Sequence, residues 1–551
     1  MKNILSIILF LSCSVAYAAN FVPHVDFSYD GAFILSSSSA EDTCFQGKYS
    51  AANITFYAAG DGGSGSLFST GKLGCPTIAE FSIPVAKVEA VYSDLNTATE
   101  LQGYTNIGNG DIDDGLPDGS SDAIGAGDIV VVGSDQGVTT PQLLHIAHND
   151  FIAETTREYI LSSCNLDFTP TVGFNGWWQL ANVYPAEAQH YIFTVPKTWA
   201  DTNLGGNYVI VGSNRQNSNG SFGATMYAIK PFSSGTPPSS GTDLSNTQLV
   251  SYGNTANMTN YLDSNNPADF VWVESGTKSA IVCYKVYVGR ERLYTDTTTN
   301  DWTVTSNGIY YGNRHPEGLG SKGYHGEPYS FSLGFYSTDD IAAVYAGTKD
   351  ADTVQPYVYY DISDVFYAST APGTDGVESR GIAYDPDGGK LYVAEAASNA
   401  TSGRVIIHVF SVSDESGSLD TTPPTDPSNF SVGTETGPTG TVQLSWTGST
   451  DSNGVHYIIY LNGYPVIRTD NTSYSYTYLD DWRDGDDTAN GWPSVTDFEF
   501  KVLAEDDYHN QSGFSNTDTV GGDVPTSAPT ASMQTGKDAD MVTGKILEII
   551  E

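Results

Sequence analysis

Short strand-like runs separated by turn residues are the feature that most constrains the fold of this chain. β-Branched and aromatic runs recur between residues 19 and 415, and Gly, Asn, Asp or Ser interrupts them; examples are 128–133, 206–212 and 387–394. Helical periodicity is almost absent from this region. Runs of this length with turn signals on both sides predict β-strands. The pattern therefore predicts an all-β protein.

These runs group into a repeating unit, which is a strand, a polar loop and a second strand. The first strands of further units are expected at 29–35, 268–273 and 340–346. A propeller blade of four strands takes about 40–50 residues, and insertions lengthen it. We therefore expect a β-propeller of six or seven blades over residues 19–415. A chain of β-sandwiches or one large jelly roll is the alternative, although a chain of sandwiches would need more Pro-rich linkers than appear before residue 421.

A Pro-rich linker at residues 416–427 separates this region from a smaller module at residues 428–524. Within the module, 441–446 and 498–504 alternate between apolar and polar residues, as half-buried strands do. The order and wording of these segments resemble a fibronectin type III domain of secreted bacterial proteins. The resemblance implies a β-sandwich in a multidomain extracellular protein. Phe498 stands where that family has its corner tyrosine. A polar C-terminal tail, residues 525–551, follows.

The N-terminus has the three parts of an export signal. Lys2 is basic, residues 4–11 are apolar, and Ala16-Tyr17-Ala18 is a small-x-small cleavage site. We expect residues 1–18 to be a signal peptide, with lipidation at Cys13 as the alternative. No later run is long and apolar enough for a membrane helix. The predicted location is secreted, either extracellular or at the cell surface.

Four cysteines follow the signal peptide: Cys44, Cys75, Cys164 and Cys283. An even number in an exported chain suggests two disulfides. We expect Cys44 to pair with Cys75, which leaves Cys164 with Cys283. Free buried thiols are the alternative.

The chain is strongly acidic, with 65 acidic and 23 basic residues and a formal net charge of −42. Such a surface repels nucleic acids and anionic lipids, so neither is expected as a partner. It favours solubility and the binding of cations.

The acidic segment 109–118 is a candidate calcium site. Calcium binds several oxygen ligands on a flexible loop. The segment also resembles the calcium loops of thrombospondin type 3 repeats at its end, although Ile112 stands where that motif has Asp. A solvated acidic insertion is the alternative. The expected ligands are Asn109, Asp111, Asp113, Asp114 and Asp118.

Two further segments carry residue types that support chemistry. His145 and His148 could hold a transition metal, but in a strand they would point to opposite faces. The segment 313–327 resembles a short stretch of soluble quinoprotein sugar dehydrogenases, and its residues could also perform acid–base work on a sugar. A plain connecting loop is the alternative. Its candidate catalytic residues are Arg314, His315, Glu317, His325 and Glu327.

Several local catalytic motifs are absent from the sequence, including a Gly-x-Ser-x-Gly elbow, a phosphate loop and a His-Glu-x-x-His helix. We therefore expect an extracellular recognition or surface-assembly protein that binds a protein or a glycan through the propeller, with self-assembly open. The alternative is a secreted carbohydrate-active enzyme with an accessory fibronectin type III module. That enzyme would be a hydrolase, a lyase or a quinone-dependent sugar dehydrogenase.

Overall fold

The structure is a computed structural model, and it describes most of the chain between residues 19 and 521. The described residues are 19–35, 53–71, 77–106, 125–148, 160–169, 171–184, 187–213, 223–252, 267–288, 329–367, 381–396, 405–433, 441–461, 464–477 and 497–521. Strands dominate these residues, which confirms the all-β prediction. No helix in the described ranges is long and apolar enough to cross a membrane.

In its described residues, the larger unit contains strands β1 to β22 and three short helices. Its helices are α1 (Pro23–Asp26), α2 (Lys197–Asn203) and α3 (Thr338–Tyr345). Its strands are β1 (Phe27–Ile34), β2 (Ile54–Tyr57), β3 (Ser66–Thr70), β4 (Thr77–Ser82), β5 (Asn96–Thr97), β6 (Glu100–Asn106), β7 (Gly125–Val132), β8 (Gln142–His148), β9 (Leu161–Asn165), β10 (Asn175–Leu180), β11 (Tyr191–Thr194), β12 (Val209–Ser213), β13 (Thr225–Ile229), β14 (Asp243–Leu244), β15 (Asn246–Val250), β16 (Pro267–Ser275), β17 (Lys278–Val288), β18 (Tyr329–Ser337), β19 (Pro356–Asp361), β20 (Ile382–Asp385), β21 (Lys390–Ala396) and β22 (Val405–Val412).

These strands form five sheets, each built on four antiparallel strands. In strand order, they are sheet A (β2-β3-β4-β6), sheet B (β7-β8-β9-β10, with β14 added), sheet C (β11-β12-β13-β15), sheet D (β16-β17-β18-β19) and sheet E (β20-β21-β22-β1, with β5 added). In sheets A to D the four strands follow one another in the chain, apart from the short β5 and β14. The described residues of this unit form five sheets, whereas the sequence predicted six or seven blades.

Sheet E joins the two ends of the larger unit. Its first three strands come from residues 382–412, but its fourth strand is β1. The pairing runs antiparallel from Phe27 opposite Val412 to Ile34 opposite Ile406. The N-terminal strand therefore completes the sheet that the chain forms last.

The first strands of the five sheets contact one another in a cycle. β2 contacts β7, β7 contacts β11, β11 contacts β16, β16 contacts β20, and β20 contacts β2 again. The hydrophobic clusters follow the same order, lying between sheets A and B, among sheets B, C and D, between D and E, and between E and A. Strands inside this arrangement are covered on both faces. This explains why β12 and β13 are buried at every residue and read as continuous apolar runs.

The C-terminal module is a separate sandwich of two sheets. One sheet has the order β23-β24-β27, and the other has the order β26-β25-β28-β29, with β30 also paired to β28. A common core that includes Trp446, Phe500 and Val502 fills the space between them. Tyr460 is buried in a different cluster, with Ile458 and Leu503. The strands are β23 (Ser428–Val432), β24 (Thr441–Thr447), β25 (His456–Leu461), β26 (Tyr464–Thr469), β27 (Ser473–Thr477), β28 (Asp497–Glu505), β29 (Gln511–Phe514) and β30 (Asp518–Gly521).

The segment 340–346, predicted as a strand, belongs mostly to helix α3. Asp339 and Asp340 lie in its first turn, where carboxylates interact favourably with the helix dipole. Ile341 is fully buried, and Val344 and Tyr345, three and four residues later, pack against the same cluster. This spacing is that of one helix face, and the run of apolar residues concealed it.

The predicted disulfide between Cys164 and Cys283 is wrong, because both are buried thiols that form no disulfide. Cys164 lies on β9 in the cluster between sheets A and B, whereas Cys283 lies on β17 in the cluster of sheets B, C and D. The remaining pair, Cys44 and Cys75, lies outside the described residues.

Candidate functional site

Both main sites predicted from the sequence lie outside the described residues. This applies to the calcium ligands Asn109, Asp111, Asp113, Asp114 and Asp118, and to Arg314, His315, Glu317, His325 and Glu327. The structure does describe the strands to which their segments attach. The acidic segment joins the end of β6 to the start of β7, and the second segment joins the end of β17 to the start of β18.

The starts of the five first strands are tied together by side-chain hydrogen bonds. Asn53, just before β2, donates from Nδ2 to the carbonyl of Gly127 in β7 at 2.7 Å. Asp128 of β7 accepts from the backbone N–H of Ile192 in β11 at 2.7 Å. Asp269 of β16 accepts from the N–H of Ile382 in β20 at 2.9 Å. The five first strands therefore begin at the same end of the cycle.

Asp128 and Asp269 also contact each other at this end, which links β7 to β16. Each carboxyl additionally accepts from the N–H of the residue after it, Ile129 at 2.7 Å and Phe270 at 2.6 Å. Both residues are 1% exposed. Burial raises the pKa of Asp128 to about 7, and burial together with the charge of Asp128 raises the pKa of Asp269 well above its usual value. The pair therefore holds a proton between its carboxyls.

Sequence reasoning missed this pair, although a signal was present. Asp128 and Asp269 each stand directly before an apolar run at the start of a predicted unit, and both runs were interpreted only as a turn followed by a strand. The recurrence of Asp at that position, which Asp340 of the segment 340–346 shares, was a local indication. The tertiary contacts between the sheets decide which two units bring their aspartates together.

The strand directions place the long connections at this same end. In an antiparallel sheet successive strands alternate in direction, so the connection from the second to the third strand leaves where the first strand begins. The connection from the fourth strand to the next sheet starts there too. The segments 107–124 and 289–328 are connections of these two kinds. Both therefore attach to the end where Asp128 and Asp269 lie.

His145 lies inside sheet B, and it belongs to no group of three or more potential metal ligands among the described residues. Its Nδ1 lies 2.8 Å from Oγ of Ser162, and its Nε2 has no hydrogen-bond partner in the described part of the chain. Burial lowers its pKa to about 3, so the imidazole is neutral. The structure does not describe the side chain of His148. The metal hypothesis for this pair therefore gains no support.

A second group of ionisable residues lies where sheet D meets the C-terminal module. Arg468 of β26 forms an ion pair with Asp361 at the end of β19, and their side chains are 9% and 2% exposed. The backbone N–H of Asp361 donates to the carbonyl of Asp507 at 2.7 Å. Nε2 of His509 lies 2.8 Å from Oγ of Ser332. These contacts dock the module on the edge of sheet D.

The charges at this junction compensate one another. Burial alone would raise the pKa of the Asp361 carboxyl, but the Arg468 guanidinium, the imidazoles of His509 and His456 and a hydrogen bond with Ser363 together outweigh burial and hold the pKa below its usual value. Burial would likewise raise the pKa of Glu505, and the His509 imidazole, 3.1 Å away, helps to hold it down. Both carboxylates are therefore ionised although they are buried.

His456 lies at the centre of the most oxygen-rich part of the junction. Its Nδ1 is 2.7 Å from Asp470, and its Nε2 is 2.9 Å from Asp507. Burial lowers the pKa of this imidazole, but the two carboxylates outweigh burial and raise it to about 10. One ligand atom each from Asp364, His456 and Asp470 lie within 4.8 Å of one another.

A purely acidic group lies between the linker and the module. Carboxylate oxygens of Asp420, Asp451 and Asp506 also lie within 4.8 Å of one another. Asp506 accepts from the N–H groups of Tyr508 and Asn510, both at 2.9 Å. These oxygens are of the type that binds calcium.

No family model matches the chain, and no curated protein matches it. Solved structures similar to it include "Crystal Structure of FN3tt", which has 23% sequence identity and a TM-score of 0.14, over 19% of this chain and 99% of that chain. "Crystal structure of chicken CNTN1 FN1-FN3 domains" has 11% identity and a TM-score of 0.15, over 72% of this chain and 98% of that chain. These neighbours are fibronectin type III domains.

Proposed function

We propose that the larger unit is a five-bladed β-propeller, one blade per sheet, and that the protein recognises an extracellular protein or glycan. The cyclic contacts of the five first strands support the propeller, because a ring of sheets requires the fifth to meet the first. The pairing of β1 with β22 supports it too, since it joins the two chain ends of the ring. The C-terminal module, which we propose is a fibronectin type III domain, is docked on the fourth blade.

The observation that carries the functional proposal is an asymmetry between the two ends of the ring. At the end opposite the buried carboxyl pair the longest connection is 338–355, and some connections are short, such as 276–277 and 386–389. The connections at the end of the pair include the longest ones. Binding residues concentrate on long loops that a rigid scaffold positions. The connections longer than any at the opposite end are 35–53, 289–328 and 362–381, and 107–124 is as long as 338–355.

This end is the proposed binding face. Two candidate segments attach to it. One contains Arg314, and the other is the acidic segment with Asn109, Asp111, Asp113, Asp114 and Asp118. In the proposal, calcium bound by the acidic segment offsets part of the negative charge at the face. Arg314 contributes a guanidinium that can form paired hydrogen bonds with a carboxylate of the partner.

The alternative is a carbohydrate-active enzyme whose acid and base come from His315, Glu317, His325 or Glu327. The segment that holds these residues attaches to the same end of the ring as other long connections, which is compatible with an active site at that end. The described carboxyls at the ring axis do not favour it, since both oxygens of Asp128 and of Asp269 accept backbone N–H bonds. They are held as structural links and are not free to reach a substrate. Recognition is therefore the function that we propose first.

Binding and turnover on the same panel of glycans and extracellular proteins test the two functions. We expect Arg314→Ala to weaken binding roughly tenfold or more, in keeping with the loss of a charge-assisted contact. Lys349→Ala is the matched control, because Lys349 is a cation in the connection between β18 and β19, at the other end of the ring. Glu317→Gln should change affinity only modestly. Turnover by the wild type that Glu317→Gln reduces by roughly 10²–10⁴-fold would establish the enzyme instead.

The calcium part of the proposal is tested by thermal unfolding with and without chelator. We expect a higher Tm with calcium in the wild type and a smaller rise in Asp111→Asn. Asp506→Asn separates this site from the acidic group on the C-terminal module. A calcium effect that only Asp506→Asn reduces would remove the proposed site at 109–118.

A further inference from the structure

We propose that Asp364, His456 and Asp470 form a binding site for a first-row divalent transition metal ion, with zinc as the probe. Asp364 follows β19 of the larger unit, whereas His456 begins β25 and Asp470 follows β26 of the C-terminal module. An ion bound by all three would therefore connect the two units directly. This inference is independent of the proposed binding function.

The geometry brings the donor atoms to metal-binding range. One nitrogen and two carboxylate oxygens lie within 4.8 Å of one another, so small side-chain rotations can place them around one ion. The His456 side chain is 3% exposed, whereas the Asp470 side chain is 64% exposed and Asp364 is also exposed. The His456 imidazole is thus fixed in the interior. The exposed side, formed by Asp364 and Asp470, gives an ion an entry path and room for water ligands.

Asp507 holds the imidazole in the orientation that metal ligation needs. Its carboxylate lies 2.9 Å from Nε2 of His456, which turns Nδ1 towards Asp364 and Asp470. A carboxylate that accepts a hydrogen bond from the second ring nitrogen is the usual partner of a metal-bound histidine, because it fixes the tautomer and strengthens the ligand. The backbone carbonyl of Asp507 is itself bonded to the N–H of Asp361, which anchors this support to sheet D.

The charge balance at the junction also favours a cation. Five carboxylates lie in this group, and the cationic groups facing them from the packed elements are Arg468, His456 and His509. The carboxylates belong to Asp361, Asp364, Asp470, Glu505 and Asp507. A divalent ion at the open side would reduce the repulsion between Asp364 and Asp470, which the charges of His456 and Arg468 already offset in part.

The donor set selects the type of metal. One imidazole with two carboxylates suits zinc or manganese, whereas calcium prefers six to eight oxygen ligands. The ion takes the place of the proton at Nδ1 of His456, and that proton leaves to solvent when the ion binds. Without the ion, the protonated imidazole pairs with Asp470 and Asp507, so the junction forms in either state.

The test measures zinc binding to the full chain by titration calorimetry after chelator treatment and buffer exchange. We expect Asp364→Asn to weaken one binding event about tenfold or more. Asp364 is exposed, so this variant is expected to fold normally. Asp387→Asn, another exposed carboxylate, is the matched control and should leave binding unchanged. His456→Gln should remove the same event, because it deletes the ligand nitrogen.

Thermal unfolding supplies a second readout. Zinc should raise the Tm of the wild type and of Asp387→Asn, and it should raise that of Asp364→Asn much less. Calcium at the same concentration should not reproduce the difference between these variants. The proposal is overturned if the wild type takes up no zinc, or if Asp364→Asn and His456→Gln both bind it as the wild type does. In the second case the ion lies elsewhere.

Discussion

At the scale of single residues, the protein stabilises its buried carboxyls in two different ways. An isolated buried carboxylate is costly, so it must find a cation or keep a proton. Asp361 pairs with Arg468 and stays ionised. Asp128 and Asp269 have each other and backbone N–H donors, and they keep a proton.

The junction pair predicts a large effect of removing its cation. Arg468→Met leaves Asp361 ionised, buried and unpaired, so it should lower the free energy of unfolding by about 3–5 kcal/mol. Lys349→Met, which breaks the more exposed pair with Asp340, should cost about 1 kcal/mol or less. Denaturant unfolding measures both. Equal effects of the two substitutions would show that the junction contributes little.

The carboxyl pair predicts a pH dependence of opposite sign to that of Asp361. The folded pKa of Asp128 lies at about 7, above its unfolded value. The fold therefore binds this proton more tightly, and stability falls as pH rises from about 4 to about 7, by about 1.4 kcal/mol per unit of pKa shift at most. Asp128→Asn should reduce that slope, although it also lowers stability at every pH. The check is denaturant unfolding at several pH values, and an unchanged slope would contradict the shared proton.

The two buried cysteines that form no disulfide should give a specific labelling pattern with a thiol reagent. Cys164 and Cys283 are buried, and burial raises the pKa of the Cys164 thiol to about 12, so a thiol reagent should not reach that group in the folded protein. Both should react after unfolding without reductant, and peptide mapping identifies the labelled residues. Cys44 and Cys75 should stay unlabelled if they form the predicted disulfide. A peptide with Cys164 joined to Cys283 would contradict the structure.

At the scale of elements, β1 has the greatest influence on the architecture. It pairs with β22 at the far end of the unit, and its Phe33 lies in the cluster between sheets E and A. Without β1, the edge of β22 loses its partner, and the N–H and C=O groups of that edge are exposed. In the proposed propeller, closure of the ring thus depends on the first described strand.

A chain that lacks residues 19–35 should therefore fail to unfold cooperatively, or should aggregate through the open edge. Adding a synthetic peptide of residues 19–35 should restore a cooperative transition, because the peptide can occupy the same edge. A peptide of scrambled sequence serves as the control. Circular dichroism melts measure the outcome, and a normal transition without any peptide would show that β1 is dispensable.

At the scale of the whole molecule, the C-terminal module has its own core and a polar, charged contact with sheet D. Among the described residues, its core is formed by side chains from 430 to 520. The contact adds Arg468, His509 and Tyr508, which meet residues of the larger unit. The module should therefore fold alone and gain stability when docked.

Differential scanning calorimetry tests this expectation. The isolated fragment 421–524 should unfold cooperatively, and the same module in the full chain should unfold at a higher temperature. Arg468→Met in the full chain should bring the two temperatures closer together, because it removes the buried ion pair. Identical temperatures for the isolated and the attached wild-type module would mean that docking contributes no stability.

The sequence by itself determined the features that depend on neighbouring residues. Apolar alternation and turn residues identified the all-β class, because strand faces and turns follow local patterns. The division near residues 416–427 stays a prediction. Where the local pattern was ambiguous, as in the apolar run of α3, the interpretation was wrong. The candidate segments at 109–118 and 313–327 stay predictions.

Only the tertiary structure decided the features that join distant residues. Five sheets, the pairing of Phe27 with Val412, the contact of Asp128 with Asp269, and the separation of Cys164 from Cys283 all depend on which elements meet across the cycle. Arg468 acquires its role in the same way, because its partner Asp361 lies in another unit. Such contacts leave no periodic trace in the sequence, since each partner is chosen by packing and not by spacing along the chain.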